Sequence, residues 1–151
     1  PVLQLAFQKL ADDAVGKDSA WTLVKPDNMG YLSYRSTSTY TVRDVVSAPK
    51  GRLFHIGVDI TSRYTGKKSF DTGQGMATMD VFDVTAKGLS VFNSTEGRVQ
   101  RRNLRTDVHV RMYIEPPADM KELTNMGNFW MEQKASVEDK VEPYAITAEQ
   151  N

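Results

Sequence analysis

This chain of 151 residues contains no cysteine, so disulfide frameworks, thiolate metal sites and cysteine nucleophiles are excluded and a reducing compartment is expected. Histidine is scarce: His55 and His109 are the only two. Neither belongs to a His-x-x-x-His pair or a carboxylate cluster, so no metal centre and no cofactor is expected. Gly73-Gln74-Gly75 lacks the Gly-Lys-Ser/Thr that would complete a phosphate loop, and there is no nucleophile elbow. Long hydrophobic runs are missing too. No stretch nears the ~20 apolar residues that span a bilayer, and the N-terminus has no charged-then-apolar leader, so a soluble, cytoplasmic protein without membrane contact is expected. Net charge is zero, 19 basic residues against 19 acidic. That removes any chain-wide attraction to polyanions and leaves only local patches. The chain opens at Pro1, as after loss of an initiator methionine, and carries no purification tag, so a complete product is expected. With no linker-like segment, residues 1–151 are expected to form one domain that buries about two-thirds of its unfolded surface.

What is present is alternation. Over residues 107–117, Val108, Val110, Met112 and Ile114 take one side of a strand, Asp107, His109, Arg111 and Tyr113 take the other, and Pro116-Pro117 ends it. A wet face with a cation, an imidazole and a phenol is a candidate binding surface, although half-burial alone gives the same pattern. Residues 52–61 repeat the design, with Phe54, Ile56, Val58 and Ile60 against His55, Gly57, Asp59 and Thr61. Residues 40–46 form a candidate strand leading into a hairpin-length turn at 47–51. Pro26 to Gly30 is a dense turn signal, residues 20–24 begin a strand before it, and residues 2–10 suit a strand or a short helix. Residues 76–85 predict another strand, Lys87-Gly88 a turn, and Asn93-Ser94-Thr95-Glu96-Gly97 a hairpin closure after 89–92. Arg98, Arg101, Arg102, Arg105 and Arg111 crowd together with Asp107 as the one acid among them, a local basic patch for phosphate binding or a solvated loop.

Helical signals gather at the end. Asp119 with Glu122 makes a capping box, and Met120, Leu123, Met126, Trp130 and Met131 recur at near-helical spacing. Ser136 with Glu138 and Asp139 predicts a second short helix that Pro143 limits. The Met and Trp stripe suits packing on its own sheet or on a partner. Gly127 in mid-helix would cost about 1 kcal/mol relative to alanine, which a close backbone approach would justify. The fold class expected is α+β, an antiparallel sheet followed by two C-terminal helices.

Tyr40-Thr41-Val42-Arg43, followed by Gly51-Arg52-Leu53-Phe54-His55-Ile56-Gly57-Val58-Asp59-Ile60, is similar to the central hairpin of a known family, and residues 107–116 to its last long strand. In this order of elements the chain resembles the coat proteins of single-stranded RNA bacteriophages, the levivirus-like family. The resemblance implies an N-terminal hairpin, a broad antiparallel sheet and two helices that cross onto a second subunit, giving an intertwined dimer. It implies a dimer interface at Met120, Leu123 and Trp130, and an inward sheet face that binds a genomic RNA hairpin. Carried over by position, that face holds Thr41, Arg43, His55, His109, Arg111 and Tyr113, together with the acids Asp59 and Asp107. The chain is longer than the better-known members, with the excess at residues 64–105.

The function expected is that of a non-enzymatic capsid protein. It would dimerise, assemble with further copies of itself into a shell through the loops 66–75 and 93–105, and bind single-stranded RNA, in a virion assembled in the host cytoplasm. Stacking of unpaired bases on an aromatic ring, at about 1–3 kcal/mol each, with arginine on phosphate, suits such a face physically. Two alternatives stay open: a tail or tube component without RNA affinity, and a small cytoplasmic ligand-binding domain or enzyme. The last would draw on an acid–base pair such as His109 with Asp59 or Asp107.

Overall fold

Side-chain alternation governs every element of the computed structural model, which describes residues 16–49, 51–117, 119 and 127–141. Seven strands form: β1 (Ala20–Met29), β2 (Leu32–Ala48), β3 (Gly51–Tyr64), β4 (Ser69–Asp71), β5 (Met76–Asn93), β6 (Arg98–Glu115) and β7 (Phe129–Val141). All pairings are antiparallel, in the order β1-β2-β3-β5-β6-β7, with the short β4 also beside β5. Turn chemistry sets the hairpins. Gly30, at φ 63°, takes the first position of the two-residue loop between Met29 and Leu32, where only glycine is at ease. At the β5–β6 turn, Asn93 is buried, and its Oδ1 accepts from the N–H groups of Thr95 at 3.0 Å and Glu96 at 3.1 Å.

One face of the sheet is apolar. Tyr40, Val42, Phe54, Ile56, Val58 and Phe92 form its main buried cluster, with Trp21 stacked on Tyr40 at 5.5 Å between ring centres. Leu32, Met79 and Val110 centre a second cluster toward the other end of the strands. A single sheet can bury such residues only by curling over them. Three register shifts bend it, at Val42/Asp44, Met79/Val81 and Val91/Phe92. Gly88 completes the curl: a Cβ there would sit 1.9 Å from the backbone oxygen of Asn103, so β6 crosses over the space that a side chain would fill. The result is a hollow of about 200 Å³ shared by Asp27 of β1, Tyr40 of β2 and Leu104 of β6. In a flat sheet β1 and β6 would stand about 19 Å apart.

Four expectations are corrected. The described residues are all-β, so the α+β class with two C-terminal helices does not hold. Trp130, Met131, Ser136, Glu138 and Asp139, assigned above to helices, lie on β7, and Gly127 precedes that strand at φ 68°. Lys87-Gly88 is no turn but the middle of the 18-residue β5. The arginine-rich segment from Arg98 is strand β6, and the turn signal at Pro26 to Gly30 is mostly strand, because β1 runs to Met29. The strand or short helix expected at 2–10, Met120, Leu123, Met126 and the Glu122 half of the capping box lie outside the described residues.

Candidate functional site

Register dictates what the second face of the sheet carries. Thr41, Gly57, Leu89 and Asn103 form one cross-sheet row, and every second residue from each of them shares that face. Thr37, Thr39, Thr61 and Thr85 therefore join Thr41 in a hydroxyl-rich surface. Asp59 and Lys87, paired side by side on β3 and β5, lie at its centre, 3.7 Å apart.

The residues singled out from sequence do share this face, but in two groups. Thr41, Arg43 and His55 gather where β2 bulges against β3, and the Arg43 side chain lies over Gly57, whose Cβ would be 2.8 Å from the Arg43 Nε. Arg101 joins them, since Val91 lies between it and His55. His109, Arg111 and Tyr113 lie far from this group, with Arg111 about 27 Å beyond the Asn103 row at ~3.4 Å per strand residue.

The second group is completed by β7. Trp130 pairs with Tyr113 across β6 and β7, their ring centres 5.1 Å apart at 59°. The Arg111 guanidinium lies 4.0 Å above the Trp130 ring, and its Nε is 3.6 Å from Asp80. Half of the Trp130 surface, 50%, stays exposed beside this stack. Below it, His109 Nε2 donates to Glu132 Oε1 at 2.7 Å, and Lys134 approaches the same oxygen at 3.4 Å. The His109 hydrogen bond, and after it Lys134, hold the Glu132 carboxyl below the usual glutamate range. Asp107 is held low in the same way, first by the Ser136 hydroxyl and then by Arg105, 3.3 Å away.

The sequence reading missed three residues here. Trp130 was placed in a helix. Arg35 and Arg63 stand directly opposite each other on β2 and β3, exposed, with no ion pair among the described residues. Like charges so placed repel unless an anion joins them. Counting back in twos from Thr41, and forward from Asp59, would have found both. On the open stretch around Trp130 the acids Asp80, Asp83 and Glu132 nearly balance the cations, so its distinctive offer is a half-free indole face rather than raw positive charge. Among the described residues no group of three or more His, Asp and Glu is placed to hold a metal ion. Comparison with protein-family models, with curated proteins and with solved structures gave no match.

Proposed function

We propose that this is a self-assembling structural protein that holds single-stranded RNA against the polar face of its sheet, the role of a coat protein in a virion assembled in a host cytoplasm. The observation that carries the reading is Trp130: a large ring, half exposed, oriented by Tyr113 and Arg111 on a rigid strand. An unpaired base can stack on such a ring, and its phosphates can follow the threonine surface toward Arg35, Arg63, Arg43 and Arg101. Sheet strands hold these groups in fixed register, which suits a platform that must present the same face many times over. The hollow on the apolar face, about 200 Å³, is smaller than the roughly 300–1,000 Å³ of drug-sized sites.

Binding of a labelled, unstructured oligoribonucleotide by fluorescence anisotropy tests the reading. Trp130→Ala should weaken binding by about 1–3 kcal/mol while the far-ultraviolet spectrum of the sheet is kept. Unchanged affinity in the folded variant would overturn it.

A further inference from the structure

We infer that the hollow inside the curl of the sheet is a binding site for a compact, uncharged, mostly apolar molecule with one carbonyl oxygen, and that Arg102 Nε–H donates to that oxygen. The hollow, about 200 Å³, is bounded by residues of β1, β2, β3 and β6. It lies on the opposite face from Trp130, so it is independent of the RNA reading. Its walls are aliphatic, with Val58 and Ile60 from β3 and Leu104 from β6. A dry cavity of roughly 150 Å³ with such a lining takes benzene, so this one has room for about eight non-hydrogen atoms.

The polar groups around the hollow are engaged, with one exception. Ser36 Oγ lies 2.8 Å from Ser62 Oγ, the Ser38 hydroxyl is bonded to Tyr40, and Asp27 Oδ1 accepts from the N–H of Asn28 at 2.9 Å. Arg102 donates through Nη2 to Asp139. Its Nε, however, is buried and has no partner among the described residues. Opposite it on β5 stands Ser90, fully buried, whose hydroxyl is also without a partner among them. A guanidinium N–H can only donate, so what completes Arg102 is an acceptor. Charge then decides which kind. Asp139 already matches the Arg102 cation, and at the mouth the exposed Lys25 is matched by Asp27, two residues along β1. An anion entering the hollow would give up its hydration without meeting uncompensated positive charge. A carbonyl oxygen accepts from the same N–H at a far smaller desolvation cost.

Methyl isoamyl ketone and isocaproate share one skeleton and differ only in a methyl against a charged oxygen. Titrating each into the isotope-labelled protein by nuclear magnetic resonance therefore tests size, acceptor and charge together. The ketone should bind at millimolar concentration and move the Arg102 Nε–H signal, and isocaproate should bind about tenfold more weakly or not at all. Arg102→Met, which keeps the wall and removes the donor, should weaken the ketone about five- to tenfold. Leu104→Trp, which fills the hollow, should abolish binding, with the spread of backbone amide signals reporting that both variants stay folded. The titrations of the parent protein decide the matter even if a variant unfolds. Isocaproate binding as tightly as the ketone, a ketone that leaves the Arg102 Nε–H signal unmoved, or no binding of the ketone would each overturn the inference.

Discussion

At one end of the apolar face Tyr40, Val42 and Ile56 expose 1% of their surface or less, while at the other Met131 and Val137 expose half or more. Both ends use the same kinds of side chain on strands of the same alternation. The difference lies in what passes over them. At the closed end the bulges of β2 and β5 and the bare backbone at Gly88 fold the sheet across its own apolar residues. At the open end β7 is the last strand of the sheet, and its apolar side faces outward. Burial here follows from topology rather than from hydrophobicity, so among the described residues one face supplies both a folding core and an exposed apolar surface.

The largest effect should come from a matched pair of truncations. Ile56→Ala should cost about 2–5 kcal/mol in urea denaturation, whereas Val137→Ala should cost under about 1 kcal/mol, because more than half of its surface is already exposed. Equal losses would break the comparison. Next is Gly88→Ala, which places a methyl against the Asn103 carbonyl and should cost about 1–3 kcal/mol by forcing β6 away. Leu89→Ala, at the exposed neighbour, should stay within about 0.5 kcal/mol.

A smaller effect asks whether RNA spans both groups of the polar face. Arg43→Ala and Arg111→Ala should each flatten the log–log salt dependence of RNA affinity by up to about 0.7, and together by about 1.4. A loss from Arg111 alone would confine the contact to the neighbourhood of Trp130. The smallest effect is acid titration of Glu132, whose carboxylate accepts from His109. The Glu132 carboxyl titrates below its ordinary value of 4.5, so its stabilisation is fully present above that value and is lost as pH falls through the lower, folded one. Glu132→Gln should therefore be less stable than the parent at pH 6, with the gap closing as pH falls below the ordinary glutamate value, as followed by urea midpoints. A gap that widens below pH 4.5 would contradict the sign.

Much of this was legible in the sequence. The strict alternation over 52–61 and 107–115 gave both faces of β3 and β6, and Asn93 to Gly97 announced its turn through a side chain that caps its own loop. β7 was misread for a physical reason. Met120, Leu123, Met126, Trp130 and Met131 fit a period near 3.6, yet from Phe129 onward the chain also alternates, with Trp130, Glu132, Lys134, Ser136, Glu138 and Lys140 on one side. Two periods competed, and the pairing with β6 decided between them. Gly88 was misread because glycine marks both turns and close backbone approaches, and only the neighbouring strand tells them apart. The separation of His55 from His109 was beyond sequence, since it depends on the offset between β3 and β6 through the intervening β5.

The curl toward the apolar side has a geometric counterpart on the other side. A bent ribbon has a short inner arc and a long outer one, and the threonine and arginine rows occupy the outer. Side chains there splay like spokes, so the tips of Arg35 and Arg63 can diverge further than their facing backbones imply. Curvature alone thus eases the crowding of like charges that ordinary strand spacing would impose.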